Sequence, residues 1–341
     1  MQPQSPQKQF MRGNDTREHI KLSARRLFAQ RGIDGVTVRE IVAASDQKNS
    51  GSLHYYFRTK DALVRELMQL NDDQEVLFLH GGASTQFMQI PMNLLPANGK
   101  AAYTDTGTWS AKAIKEANLY GTVEIAGSSK EAHYRSIPKT LDIDPEAAYL
   151  HLTTNETVHG VQWQQLPMEL DLPLVADMSS DILSRSLPFD RFGLIYAGAQ
   201  KNMGAAGVNL VIVNKQLLGK TDRRIPTILD YREHIREGSM LNTPPVFAIY
   251  VVLLTLRWVK EQGGIPEMEK RSLEKAKLFY TTLDRLPVFH GLVDAADRSR
   301  MNAVFTINDT RLETEFLDAC KQANLIGVKG HRSVGGFRIS M

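Results

Sequence analysis

The spacing of apolar residues changes character about a fifth of the way along the chain. From Thr16, which can cap a helix, Ile20, Ala24, Leu27 and Phe28 recur at helical spacing to about Gln30. Gly32 and Gly35 end that period, as residues without a Cβ do at helix termini. Thr37 opens a second short helix through Ala44, with Val38, Ile41 and Val42 on its apolar face. A turn over 45–47 leads to a third helix over 49–55, and Thr59 starts a fourth. Residues 1–15, rich in Gln, Pro and Ser, predict a disordered lead-in.

Beyond residue 70 short apolar runs bounded by turn residues replace the helical period. They fall at 75–79, 122–126, 148–152, 174–176, 194–196 and 210–213, with helical stretches between several of them. This rhythm predicts an α/β unit over 71–267, a mixed and largely parallel sheet covered by helices, with its site at the strand ends. From residue 268 the pattern resets. A helix over 273–286, strands over 301–307 and 335–340, and a helix over 313–323 predict a smaller α/β domain at 268–341. The expected organisation is thus an all-helical head at 16–70 followed by a large and a small α/β domain.

Charge divides the chain at the same place. Residues 1–70 hold 12 Lys and Arg against 7 Asp and Glu, while the rest holds 29 against 31. A basic head on a near-neutral body suggests two kinds of partner. Cys320 is the single cysteine, which excludes an internal disulfide and suits a reducing compartment. The first residues carry no apolar run resembling a signal peptide, and the most apolar stretch, 246–259, is short and interrupted by Arg257. The expectation is a soluble, cytoplasmic protein with no membrane partner.

Candidate chemistry sits at the predicted strand ends. The run Gly81-Gly82-Ala83-Ser84-Thr85 after the first strand has the order strand, glycine turn, helix that lets backbone N–H groups grip a phosphate. Lys201 follows the strand at 194–196 and a Gly-Ala pair. An enclosed turn would desolvate its amine and favour the neutral, nucleophilic form; otherwise it is a surface lysine. Asp177 could face the ring nitrogen of a cofactor from its strand end, or simply cap the residues after it. Trp109 could stack on a flat ring or fill the core. In the head, three short helices with a tight turn form a helix-turn-helix candidate. It would aim Lys48, Asn49, Ser50 and Ser52 at the DNA major groove and set Tyr55 and Tyr56 against its backbone.

Two resemblances sharpen these readings. Residues 16–67, through ARRLFAQRGIDGVTVREIVAAS, NSGSLHYYF and TKDALV, resemble the DNA-binding head of TetR-type regulators, which implies double-stranded DNA as a ligand. From Glu75 to Met341 the chain resembles the phosphoserine aminotransferases, through LFLHGGASTQF, TGTWSAKAIKEA, TNETVHGV, PLVADMSSDILSR, GLIYAGAQKNMG, LNTPP and GVKGHRSVGGFR. That resemblance implies the fold type I of pyridoxal-phosphate transferases, a homodimer, and amino transfer among O-phosphoserine, glutamate and 2-oxoglutarate in serine biosynthesis.

It also implies roles. Lys201 would carry pyridoxal 5'-phosphate and Asp177 would meet the pyridine nitrogen, with Trp109 stacked on the ring. Ala83 and Ser84 would hold the cofactor phosphate, Thr157 and Gln200 would make polar contacts, and Asn242 and Thr243 would reach the neighbouring subunit's cofactor. Arg338 would bind the substrate carboxylate, and His331 and Arg332 its phosphate. The family's N-terminal arm and Ser-His-Arg motif have no match before Glu75, and its last strand and helix none after Ser340. The resemblance therefore implies a site short of one substrate-binding arginine. An alternative joins the two resemblances: a DNA-binding regulator whose aminotransferase-derived body serves for dimerisation or sensing.

Overall fold

The structure, a computed structural model, describes residues 51–341, with side chains from Lys60 onward, and the single helical residues Ser23, Arg26, Leu27, Gln30, Arg31, Glu40 and Ala44. Lys48, Asn49 and Ser50 lie outside the described residues, as do the side chains of Ser52, Tyr55 and Tyr56. The chain divides into two compact units, 1–59 and 60–341. Within the first, Ser23 Oγ donates to the Ala44 carbonyl at 3.1 Å and Arg31 pairs with Glu40 at 2.8 Å.

Helix α1 spans Gly51–Met68 without a break. The separate third and fourth helices expected from the sequence are therefore one element over these residues. Physically this follows from the absence of Gly or Pro after Gly51, since Arg58, Thr59 and Lys60 do not interrupt an i→i−4 ladder. The second unit begins at Lys60, inside this helix. Leu63, Val64 and Met68 are buried, and Lys60 itself is fully enclosed, bonded to Asp61 at 2.7 Å with its ammonium 4.3 Å above the Phe78 ring.

A seven-stranded sheet forms the centre of this unit. Its strands are β1 (Gln74–His80), β2 (Lys100–Asp105), β3 (Thr122–Ser128), β4 (Leu150–Thr153), β7 (Leu174–Asp177), β8 (Phe192–Gly198) and β9 (Val208–Asn214). Their order is β1-β9-β8-β7-β4-β2-β3. All neighbouring pairs are parallel except the two that β9 makes, with β1 and β8. A mixed, mostly parallel sheet was the expectation, and each expected strand is present. Strand β2 was not anticipated, because Lys100-Ala101-Ala102 has neither the β-branched content nor the alternation that marks a strand.

Helices α2 (Ala83–Leu94) and α3 (Thr108–Ala117) cover one face, closing over Leu77, Leu79, Tyr103, Tyr196 and Val211. A short hairpin, β5 (Asn155–Glu156) and β6 (Val161–Gln162), follows β4. Downstream come α4 (Tyr231–Arg236), α5 (Val246–Glu261) and the long α6 (Gly264–Arg285). The small domain is an antiparallel sheet of β10 (Phe289–Gly291), β11 (Asn302–Ile307) and β12 (Phe337–Ser340), packed on α6 and α7 (Glu313–Gln322). Among the described residues no helix is long and apolar enough to cross a membrane.

Asn155 ties the two sheets together from full burial. Its amide donates to Ser180 Oγ and Asn302 Oδ1, each at 2.8 Å, and its oxygen accepts from Ser299 Oγ at 2.5 Å. Satisfying every polar atom of a buried amide at one place fixes how the strands meet there.

Candidate active site

The loops at the carboxyl ends of β7 and β8, the hairpin after β4 and the start of α3 converge on Lys201. It lies in the turn after β8, and its Nζ donates to Thr157 Oγ1 at 2.7 Å. The Trp109 ring centroid is 5.2 Å from the same nitrogen. Although the residue as a whole is open to solvent, lost hydration around the ammonium lowers its pKa. The negative charges of Asp177 and Glu156 oppose that shift, while Arg338 adds to it. An amine so placed surrenders its proton more readily than a surface lysine.

Asp177 ends β7 and is buried. Burial raises its pKa, while hydrogen bonds from Ser179 and the charge of Lys201 pull it back. One oxygen accepts from the Ser179 N–H at 2.9 Å, so the capping role and a role facing the lysine coexist in one carboxylate. Beneath it, Asp181 is buried among Thr154, Gln162 and Arg185, which contact it at 2.5, 3.0 and 3.3 Å.

Ala83 and Ser84 are the first two residues of α2, whose N-cap, Gly82, offers no side-chain cap. Their N–H groups are thus uncommitted donors at the positive end of a twelve-residue helix. Gly81 takes φ +87°, and a Cβ there would collide with Thr85. Gln200 is exposed beside Lys201, and its amide leaves no room for a Cβ at Gly198. Arg338, on β12, brings the small domain's charge to the lysine. His331 bonds Ser333 at 2.7 Å and acts electrostatically on His159, which in turn bonds Thr108 at 3.1 Å. Arg332 is exposed. Asn242 and Thr243 are also exposed, just before α5, with the Thr243 carbonyl accepting from His80 at 2.6 Å.

Two residues escaped the sequence reading. Glu156, between Asn155 and Thr157, is 1% exposed and accepts from the Ser110 N–H at 2.8 Å and the Trp109 N–H at 3.1 Å. Burial pushes its carboxyl up to about 7 against the pull of those donors. His159, edge-on to Tyr134 at 4.8 Å, is driven down to about 4, chiefly by burial. The available signal was a polar run, Thr153-Thr154-Asn155-Glu156-Thr157, directly after an apolar strand. Such a run at a strand end points toward a site, not toward solvent.

A desolvated lysine, a buried carboxylate, an aromatic face and a helix N-terminus are the donor set of a pyridoxal-phosphate enzyme. The indole N–H of Trp109 is buried without a hydrogen-bond partner, which accords with a further polar group at this position. The residues present fit that cofactor.

The class follows from this architecture and is matched independently: the family described as "Aminotransferase class-V" aligns with residues 42–341. Among curated relatives, a phosphoserine aminotransferase of Flavobacterium johnsoniae is 52% identical over 282 residues, 82% of this chain and 79% of its own. One of Pseudomonas aeruginosa is 48% identical over 280 residues, 82% of this chain and 78% of its own. Among solved structures, the phosphoserine aminotransferase of Bacillus circulans subsp. alkalophilus superposes with a TM-score of 0.85 at 39% identity, covering 94% of this chain and 89% of that one. A phosphoserine aminotransferase from Trichomonas vaginalis, solved with pyridoxal phosphate bound, gives 0.81 at 34% identity, over 95% and 91%. The chain belongs to the phosphoserine aminotransferase family of class-V aminotransferases.

Proposed function

We propose that this protein transfers an amino group between O-phosphoserine and 2-oxoglutarate, with glutamate as the amino acid formed, using pyridoxal 5'-phosphate held at Lys201. The observation that carries the reading is the convergence of Thr157, Trp109 and the charge of Asp177 on one desolvated amine. When bound, the cofactor supplies the carbonyl that accepts the amino group and the conjugated ring that draws electrons from the substrate Cα. Everything else falls to the chain. The uncommitted N–H groups of Ala83 and Ser84 would hold the phosphate, Trp109 would stack on the ring, and Asp177 would keep a proton at the ring nitrogen. Lys201, in its neutral form, would take the proton from the substrate Cα and deliver it to the cofactor's C4′.

Arg338 orients the substrate carboxylate, and His331 and Arg332 supply the cationic and donor groups that prefer a phosphate dianion over a neutral side chain. Gln200 adds a polar contact. The exposed pair Asn242 and Thr243 suits a homodimer in which each protomer completes the other's phosphate site. A reducing, cytoplasmic setting agrees with the single free and buried thiol, Cys320.

The test is direct. Purified protein given pyridoxal phosphate should gain a visible absorbance band and form glutamate from phosphoserine and 2-oxoglutarate. Lys201→Ala should lose both. A wild-type chain that binds the cofactor but transfers no amino group from phosphoserine would overturn the substrate assignment. A Lys201→Ala variant that keeps the band would overturn the site.

A further inference from the structure

Three consecutive residues, Asn155, Glu156 and Thr157, each send a side chain to a different element. Asn155 reaches the small domain at Asn302 and Ser299, and Thr157 meets the Lys201 amine. Glu156 reaches α3, where Gly107 is the N-cap and Trp109 and Ser110 are the second and third helical residues. One carboxylate oxygen takes the Trp109 N–H and the other the Ser110 N–H. These are donors that an isolated helix leaves unsatisfied in its first turn. The helix supplies no cap of its own from Gly107, whose missing side chain is what lets the carboxylate in. A Cβ on Gly107 would lie 2.6 Å from the Glu156 Cδ.

We propose that Glu156 is a positioning residue for Lys201: its carboxylate clamps the first turn of α3 so that Trp109 is held over the lysine amine, and its charge supports the ammonium. This rests on the reading of Lys201 as the cofactor's anchor. Two properties separate the arrangement from an ordinary helix cap. The clamped residue is itself the one whose ring faces the amine, so a slackened cap moves the ring and not merely the helix end. Above about pH 7 the clamp is also a buried anion, and its field reaches three titratable groups. It favours the charged form of Lys201, it raises Tyr134, and it shares its surroundings with Asp177. The carboxylate therefore sets both the shape and the charge around one nitrogen.

The experiment separates shape from charge and does not depend on turnover. In the full chain without cofactor, Lys201 is labelled with acetic anhydride across a pH series, and its modified peptide is quantified by mass spectrometry. Glu156→Gln keeps the size of the side chain but removes its charge and turns an amide N–H toward one of the helix donors. Its labelling midpoint should fall by about one pH unit, the low end of what a nearby opposite charge does. Pyridoxal phosphate, titrated by absorbance near pH 8, should bind about tenfold more weakly, as the loss of a charge-assisted hydrogen bond predicts. Gly107→Ala, which displaces the carboxylate while leaving it in the chain, should weaken cofactor binding similarly, and the double variant should be no weaker than either alone.

Wild-type midpoint and affinity in Glu156→Gln, with only a lowered melting temperature, would reduce Glu156 to a structural cap and overturn the proposal. Additive losses in the double variant would overturn the clamp. A wild-type chain that takes up no pyridoxal phosphate would refute the functional reading, yet the labelling midpoint would still decide the effect of Glu156 on Lys201.

Discussion

The two walls of the site are built on opposite principles. The large sheet contributes groups that are buried and already committed. Asp177 and Glu156 are enclosed carboxylates with backbone donors on their oxygens, and Thr157 meets the lysine directly. The small domain contributes Arg338, His331 and Arg332 from a strand and a glycine-rich loop, all more open to solvent. The contrast teaches where rigidity is placed. The wall that would hold a permanent cofactor is pre-organised at the cost of desolvating charges, whereas the wall proposed to meet the substrate is left more open to water.

The largest consequence concerns the inner wall. Asp177→Asn preserves volume and the bond to Ser179 but removes the charge that, in the proposed function, would keep a ring nitrogen protonated. We expect kcat to fall by about 10²–10³-fold, as removal of one pre-organised electrostatic group commonly does, and the cofactor's visible band to shift. A variant with wild-type kcat would show that the buried carboxylate acts only as a cap on Ser179 and would erase the distinction between the walls.

On the outer wall the expectation is smaller and different in kind. In the proposed function Arg338→Ala would remove a charge-assisted contact to the substrate carboxylate, so kcat/KM should fall by about 10–100-fold, most of it through KM. Cofactor affinity should stay near the wild-type value, because Arg338 acts on Lys201 only through its charge, which disfavours the ammonium. Equal losses of cofactor and substrate binding would mean that the two walls act as one unit.

The inner and outer walls were unequally legible in the sequence. Apolar runs such as Leu194-Ile195-Tyr196 and Leu210-Val211-Ile212-Val213 announce strands buried on both faces, because nothing in them can face water. Lys201, Asp177, Trp109 and Thr157 could be located through the resemblance, and the structure brings Thr157, Trp109 and the charge of Asp177 to the Lys201 amine. Strand β2 and the short β10 were not legible, since Lys100-Ala101-Ala102 and Phe289-His290-Gly291 become strands only by pairing with neighbours distant in sequence. Glu156 was missed for a related reason. The polar run after β4 hints at a site, but the space that buries Glu156 depends on the absent side chain of Gly107, in a separate stretch of chain.

The smallest effect, per unit of pH, sharpens the comparison without touching catalysis. Burial holds Glu156 up at about 7, against an ordinary 4.5, and holds His151 down at about 3, against 6.5. Above pH 4.5 the unfolded chain releases the Glu156 proton while the folded chain keeps it until about 7. The stability that this group contributes therefore declines as pH rises through that window, by about 1.4 kcal/mol per unit. His151 works in reverse. Below pH 6.5 the unfolded imidazole takes up a proton that the buried one refuses, so its contribution declines as pH falls, with a slope of about the same size. His159, held at about 4 chiefly by burial, adds to the second trend, and Asp177, raised by burial, contributes in the same direction as Glu156. Between 4.5 and 6.5 Glu156 offsets one of the two imidazoles, so these three groups leave a net rise in stability with pH. Glu156→Gln removes one carboxyl from that balance. Measured by urea unfolding at several pH values in this window, the variant's stability should climb relative to wild type by about 1.4 kcal/mol per unit as pH rises. A constant offset between variant and wild type across the window would mean that Glu156 ionises normally in the folded chain, and that the inner wall does not hold a proton on it.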